Sequence, residues 1–270
     1  MTSTSASPTT PMERPRWKAV ALPSEHGGWG LTLEPVLLGL LIAPSVAGLA
    51  LGIAAFGAFL VRTPLKLALV DVRRERWLAR SALALRITVA ELALMGALAA
   101  LAVARAGWSW VIPVALAAPF VVVQLMFDVR SRGRRLVPEL CGAVGMASVV
   151  AVMVVAAAKP TTLAAAAWLV LASRSIGAIP FVRVQITRLR GGEADVRASD
   201  LAQLVAVVCG IVAVAVRHSV LLGAIGLLGA GVLQMIWVRR PPTAARVLGM
   251  RQMALGFGLV AITAVGIAVT

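Results

Sequence analysis

The chain has 270 residues, of which 60% are hydrophobic and only 14% are charged, and its mean hydropathy is +0.93. Soluble domains carry roughly 25% charged residues, so this composition excludes an ordinary soluble globule. Apolar runs of about 20 residues recur along the chain and exclude disorder, collagen and coiled coil. We therefore predict an all-α polytopic membrane protein.

The formal net charge of +15 arises from 26 Lys and Arg residues against 11 Asp and Glu residues. On a soluble protein this excess would indicate a nucleic-acid partner. Here the cations lie in short segments between apolar runs, where membrane topology accounts for them. We expect membrane lipids as partners and no nucleic acid. Cys141 and Cys209 lie in apolar runs without metal-site spacing, which favours core packing.

The chain divides into two predicted parts. Residues 1–19 are rich in Ser, Thr and Pro and then basic, without the apolar core of a signal peptide, and we expect a disordered cytoplasmic tail. Residues 20–270 are expected to form a single transmembrane helical domain. Its apolar runs predict nine spans, at about 30–43, 47–72, 81–104, 108–127, 138–158, 162–184, 201–216, 220–238 and 247–269.

Two spans carry proline signals. Pro44 separates the first span from the second, and the shortness of the first leaves one re-entrant hairpin as an alternative for the pair. Pro180 is expected to kink the sixth span.

The loops between the nine spans differ sharply in charge. If the amino terminus is inside, twenty-one of the 26 cations fall on the inner side, three fall on the outer side and two lie within spans. Cytoplasmic loops are enriched in Lys and Arg, so we predict a cytoplasmic amino terminus.

Three ionisable residues lie at the start of the first span. Glu25 and His26 precede a glycine-rich stretch, where they either cap an entry turn or offer a general base. Glu34 lies inside the apolar run beside Pro35. Because a charge at membrane depth needs a partner, we expect an interhelical one, such as Arg62 or Arg174.

The second span ends in two pairs of charges spaced i, i+4. Arg62 and Lys66 place two cations on one helix face, where they either snorkel to the interface or face a phosphate or carboxylate. Asp71 and Glu75 have the spacing that would let two carboxylates hold a divalent ion, whereas the flanking arginines favour surface ion pairs.

Two later segments suggest anion recognition. The loop after the fourth span has four arginines in six residues, including Arg134 and Arg135, with Gly133 allowing a tight turn. Contact with anionic lipid head groups is the alternative. In the sixth span, Arg174 lies well before the end and is expected to face a polar cavity, and Arg183 follows it.

The Glu25-His26-Gly27 segment before Trp29, the following Pro35 and the stretch from Arg174 to Arg190 resemble the YwiC-like family of bacterial membrane proteins. The resemblance covers most of residues 20 to 260 and implies a multi-pass protein of the bacterial cytoplasmic membrane. It implies no particular reaction.

More distantly, the layout is similar to UbiA-type intramembrane prenyltransferases. That resemblance implies a nine-helix bundle in which loops after the second, fourth and sixth helices bind a prenyl diphosphate, with Arg134 and Arg135 in the basic loop. Those enzymes use two Asp-rich motifs to hold Mg²⁺. Here only Asp71 and Glu75 stand in the first corresponding region. The second offers Arg183 and Arg188, with Glu193, Asp195 and Asp200 farther out. The resemblance therefore favours binding over classical prenyl transfer.

These observations lead to one main hypothesis. An inward-facing basic cavity binds an amphipathic anion, an isoprenoid or lipid phosphate, and guanidinium groups from separate helices converge on it. The candidate binding residues are Arg62, Lys66, Asp71, Arg134, Arg135, Arg174, Arg183 and Glu34. If the protein is an enzyme, a prenyl or lipid-group transferase is expected. The alternatives are a small-anion transporter with Arg174 and Glu34 on its route, or an assembly subunit of a membrane complex.

Overall fold

The computed structural model describes residues 17–21 and 26–270, and every long regular element in them is an α-helix. A short 3-10 turn, His218–Val220, precedes the tenth helix. The helices are α1 Trp17–Ala21, α2 His26–Ile42, α3 Val46–Arg73, α4 Ala79–Ala106, α5 Val111–Val129, α6 Leu136–Ala147, α7 Val149–Ala156, α8 Thr161–Leu189, α9 Val196–Val216, α10 Leu221–Trp237 and α11 Ala245–Ala268.

Eight helical segments are long and apolar enough to cross a membrane, and α2 contributes a shorter apolar helix. They occupy the nine predicted spans, which confirms an all-α membrane protein with about nine apolar helices, eight of them long enough to cross a membrane. Helices α6 and α7 form one of the eight, Leu136–Ala156. They are separated at Ser148, whose hydroxyl donates a hydrogen bond of 2.7 Å to the carbonyl of Gly145.

The first two spans are unequal in length. Helix α3 has 28 residues, or about 42 Å, which exceeds the roughly 30 Å hydrocarbon core of a bilayer, so it is long enough to cross alone. The hydroxyl of Ser45 caps it by accepting a hydrogen bond of 2.9 Å from the backbone of Gly48. A single re-entrant hairpin therefore does not describe this pair. Helix α2 has 17 residues, or about 26 Å.

Helix α8 lies at the centre of the bundle. It contacts α2, α6, α7, α9, α10 and α11, and it continues through Pro180 to Leu189. Its buried face consists largely of small residues, including Ala164, Ala167 and Gly177. Small side chains let helix backbones approach closely where lipid offers no hydrophobic drive for packing.

The outer helices bury little of their surface. In α5 only Pro113, Ala117 and Asp128 are buried, and α4 buries only four residues. Large apolar side chains such as Leu92 and Leu116 are exposed around the bundle. An apolar exterior this extensive is expected to contact lipid.

The most basic turns adjoin one another. Arg73 donates to the carbonyl of Val129 at 3.3 Å, and Arg188 donates to the carbonyl of Val238. Arg183 joins the turn before α6 in the same way. We call this region the basic end and define it by the turns 74–78, 130–135, 190–195 and 238–244. That it faces the cytoplasm stays a prediction.

Candidate anion-binding site at the basic end

Asp128 is the centre of the first charged cluster. It is completely buried in the last turn of α5. Arg62 contacts it with two nitrogens, Nε at 2.7 Å from Oδ2 and Nη2 at 3.2 Å from Oδ1, and the ammonium of Lys66 lies 3.4 Å from Oδ1. Two cations one helical turn apart on α3 therefore both contact this carboxylate.

Gly133 packs directly against this carboxylate. A Cβ atom placed on Gly133 would lie 1.9 Å from Oδ1 of Asp128, so a larger residue has no room there. The glycine in the arginine-rich loop therefore allows the loop backbone to pack against the buried carboxylate of Asp128.

Asp71 forms a second cluster at the turn between α3 and α4. Its carboxylate accepts hydrogen bonds from the hydroxyl of Ser81 at 2.7 Å and from Arg80 at 3.1 and 3.3 Å. Helix α3 ends at Arg73, and Glu75 lies in the turn with a φ of 52°. The chain therefore leaves the helix between Asp71 and Glu75, so their i, i+4 spacing does not place the two carboxylates on one helix face.

A metal site at these residues has no further support from the neighbourhood. Within residues 17–21 and 26–270, no group of three or more His, Cys, Asp or Glu side chains is placed to hold a metal ion.

Arg183 ties the arginine-rich loop to α8. Its Nη1 donates to Oε2 of Glu139 at 2.8 Å and to the carbonyl of Arg134 at 2.9 Å. The side chains of Arg134 and Arg135 are exposed. Loop 130–135 thus contacts Asp128 through Gly133 and Arg183 through Arg134. The loop therefore connects the Asp128 cluster to the ion pair of Arg183 and Glu139.

A further ion pair lies in the interior of the bundle. Nε of Arg174, midway along α8, lies 3.2 Å from Oε2 of Glu34, and both side chains are about 95% buried. Nη2 of Arg174 also donates to the carbonyl of Gln252 at 2.6 Å. Of the two partners expected for Glu34, the structure selects Arg174. A Cβ on Gly256 would lie 1.8 Å from Oε1 of Glu34, so α11 also approaches this pair closely.

The structure therefore divides the candidate cations into two groups. Arg62, Arg134 and Arg183 lie around loop 130–135, together with Lys66, whereas Arg174 has its own carboxylate inside the bundle. Arg62, Lys66, Arg174 and Arg183 are each within ion-pair distance of a carboxylate.

An open groove of about 460 Å³ lies between the end of α3 and the outer face of α5. Arg73 and Arg130 line its basic end, and both are exposed. The rest of its wall is apolar and consists of Val122, Leu125, Met126 and Val129. Val129 follows Asp128 directly, so the groove adjoins the cluster of Arg62 and Lys66. We call it the α3–α5 groove.

A family model described as YwiC-like protein matches residues 22–156, half of the chain. The protein belongs to the YwiC-like family. No curated protein and no solved structure matches it. The matched half of this YwiC-like protein contains Asp128, loop 130–135 and the α3–α5 groove, whereas Arg174 and Arg183 lie beyond it.

Two residues near the charged pairs of this YwiC-like protein, Asp128 and Gln252, are not among the candidates selected from the sequence. Asp128 was missed, although a carboxylate straight after an apolar run, in a protein with paired cations on another helix, is a usable signal. Gln252, whose side-chain nitrogen and oxygen are buried without a partner among the described residues, gives no such signal. Glu25 lies outside the described residues, and of His26 only the backbone, which begins α2, is described.

Proposed function

We propose that this YwiC-like protein binds an amphipathic anion, an isoprenoid or lipid phosphate, at its basic end. The observation that carries the proposal is the α3–α5 groove, which combines Arg73 and Arg130 with an apolar wall that continues along α5. A phosphate head group would contact the two guanidinium groups, and the hydrocarbon tail would lie against Val122 and Met126. Arginine suits this role because its planar fork binds two phosphate oxygens at once.

The surrounding charges strengthen the attraction for an anion. Arg62 and Lys66 both contact Asp128 beside the groove, and the side chains of Arg134 and Arg135 are exposed on the adjoining loop without an ion pair among the described residues. Positive charge near a membrane surface attracts anionic lipid by about 1 kcal/mol per Lys or Arg. The proposed head-group region therefore comprises Arg73, Arg130, Arg62, Lys66, Arg134, Arg135 and Arg183.

Lipid retention tests this proposal. Purified protein in nanodiscs that contain both phosphatidylglycerol and phosphatidylcholine is released into the gas phase, and retained lipids are counted by native mass spectrometry. Arg73→Gln with Arg130→Gln is expected to reduce the preference for phosphatidylglycerol, by the lipid that the α3–α5 groove retains. The matched control is Arg105→Gln with Arg217→Gln, which removes two exposed arginines outside the basic end. Equal loss in both variants, or no preference in the parent, contradicts the proposal.

The enzymatic form of the proposal is a UbiA-like prenyl or lipid-group transferase. It is favoured by the order of the polar clusters, which follow α3, α5 and α8 as the resemblance implies. The two carboxylates that such an enzyme could use to hold Mg²⁺ at the basic end, Asp71 and Asp128, are already bound by cationic side chains. Labelled prenyl diphosphate with and without Mg²⁺ tests it: Mg²⁺-dependent product supports transfer, and binding without product leaves a binding protein.

A small-anion transporter is a second candidate, and the interior pair of Glu34 and Arg174 favours it. Ionisable residues at membrane depth commonly mark ion or substrate routes. Gln252 adds buried polar atoms without partners beside the pair. Uptake of radiolabelled phosphate into proteoliposomes, lost in the Glu34→Gln and Arg174→Gln double variant but kept in Arg105→Gln, would support this candidate. No uptake by the parent protein would eliminate phosphate as its cargo.

A further inference from the structure

We infer that a second anion site lies between the ends of α8 and α10 and the start of α11, and that it takes a phosphate-containing ligand that also carries a hydroxyl group. The site is a recess of about 200 Å³ lined by Gln185, Trp237, Arg240, Thr243 and Arg251, which we call the basic recess. It shares no residue with the α3–α5 groove and lies outside the family match of residues 22–156.

The recess holds two cations without a counterion. Arg240 and Arg251 have no carboxylate within ion-pair distance in the described part of the chain. The guanidinium of Arg251 lies 5.1 Å above the ring of Trp237, which holds it in place. The nearby Asp200 is bound to Arg239 at 2.6 Å, and this pairing raises the pKa of Arg239. Two positive charges thus line a small enclosed space.

Gln185 adds a feature that a simple cationic patch lacks. The residue is 4% exposed, and its Nε2 donates to the carbonyl of Trp237 at 2.9 Å. This bond fixes the amide orientation and makes Oε1 the free end. Oε1 is buried and has no partner among the described residues. A buried acceptor without a donor is costly, so a ligand that donates a hydrogen bond is favoured here.

Helix α11 supplies further donors. Its first residues follow Thr243, and no side chain caps its amino-terminal N–H groups. The free N–H groups and the helix dipole favour an anion at this position, as they do in known phosphate sites. Thr243 itself adds a hydroxyl to the lining of the recess.

The combination of these groups selects the ligand chemistry. The arginines and the helix terminus require anionic oxygens, while Oε1 of Gln185 requires a donor on the same ligand. Monohydrogen or dihydrogen phosphate and a phosphomonoester in its monoanionic form meet both requirements, and so does the hydroxylated head group of phosphatidylglycerol. Sulfate does not, because it carries no hydrogen at neutral pH and would set an oxygen against Oε1.

The experiment uses the full chain in phosphatidylcholine nanodiscs and isothermal titration with inorganic phosphate, then sulfate. Phosphate is expected to bind saturably and about tenfold more tightly than sulfate, the size of one charge-assisted hydrogen bond. Arg251→Gln is expected to weaken phosphate binding by about tenfold, as is the exposed-residue variant Arg240→Gln. Gln185→Met is expected to remove the preference over sulfate. Arg246→Gln, an exposed arginine in the first turn of α11 that does not line the recess, is the control.

A second arm distinguishes the source of the phosphate. Phosphatidylglycerol retained in native mass spectra and lost in Arg251→Gln but not in Arg246→Gln assigns the recess to a lipid head group, even if free phosphate does not bind. Binding of neither probe, equal binding of phosphate and sulfate by the parent, or equal loss in Arg246→Gln overturns the inference. Arg73→Gln with Arg130→Gln is expected to leave this site intact, so its fate is separable from that of the α3–α5 groove.

Discussion

Arg174 and Glu34 show how a membrane bundle tolerates full charges. Each is nearly completely buried, so neither has water to stabilise it, and each depends on the other and on the carbonyl of Gln252. Taking one partner away leaves an uncompensated charge in a low-dielectric interior, which costs more than the pair contributes.

The first prediction concerns this pair. Arg174→Met alone is expected to lower the free energy of unfolding by about 3–5 kcal/mol, because Glu34 is left as a buried unpaired carboxylate. Adding Glu34→Leu to the same chain is expected to restore most of the loss. Denaturant unfolding in detergent micelles measures both. If the single variant is as stable as the parent, the ion pair does not exist in the folded protein.

Replacing Asp128 is expected to change stability and lipid binding at the basic end in opposite directions. Asp128→Asn removes a carboxylate contacted by both Arg62 and Lys66, so stability is expected to fall while the positive charge beside the α3–α5 groove rises. Retention of phosphatidylglycerol is therefore expected to increase by a few-fold, which native mass spectrometry measures. Asp200→Asn, which frees Arg239 elsewhere on the basic end, is the control. Unchanged or weaker retention in Asp128→Asn would contradict the role of Arg62 and Lys66 in the head-group region.

At the scale of the helices, hydropathy is sufficient to predict which helices exist and their order along the chain. All nine predicted spans have a helix, because about 20 apolar residues in lipid have few alternatives to a helix. The ends were harder to predict. Helix α9 begins at Val196 rather than near Leu201, since Asp195 caps it by accepting from the backbone of Arg197 at 2.8 Å, and polar residues in its first turn hide it from hydropathy.

Partners between helices could be predicted only in part. Two candidates were available for Glu34, and only the packing of α2 against α8 and α11 decides for Arg174. The pairing of Arg62 and Lys66 with Asp128 spans more than 60 residues of sequence, which no local pattern encodes. Loop 130–135 was selected for its arginines, yet its glycine makes the closest contact with the buried carboxylate.

The approach of α11 to α2 yields a prediction with an internal control. Gly256→Ala places a methyl group where Oε1 of Glu34 lies, so the pair with Arg174 is expected to break, with a loss of several kcal/mol. Gly258→Ala, on the same helix, meets nothing within 4 Å and is expected to be neutral or slightly stabilising. Melting temperatures of the two variants decide. Equal values would place α11 farther from α2 than the structure does.

At the scale of the whole molecule, the basic turns lie at one end of the helix bundle. The basic turns adjoin one another, while the turn 107–110 between α4 and α5, exposed at 107–109, belongs to the other end. The positive-inside rule then predicts that the basic end is cytoplasmic.

Cysteine accessibility tests the orientation. In a Cys141→Ser and Cys209→Ser background, Ser109→Cys is expected to react with a membrane-impermeant maleimide on intact cells, whereas Ser131→Cys reacts only after the cells are opened. Both positions are exposed in turns. The reverse pattern would invert the topology and move the α3–α5 groove to the outer leaflet.

The most direct measurement of anion binding at the basic end is photo-crosslinking with a phosphatidylglycerol that carries a diazirine on its acyl chain. The adducts are predicted to map to the outer face of α5 at Val122, Leu125 and Met126, and to disappear in Arg73→Gln with Arg130→Gln. A phosphatidylcholine with the same acyl chain is predicted to label the whole perimeter evenly. Equal labelling patterns from the two lipids, or adducts at these α5 positions that persist without the two arginines, would contradict the account.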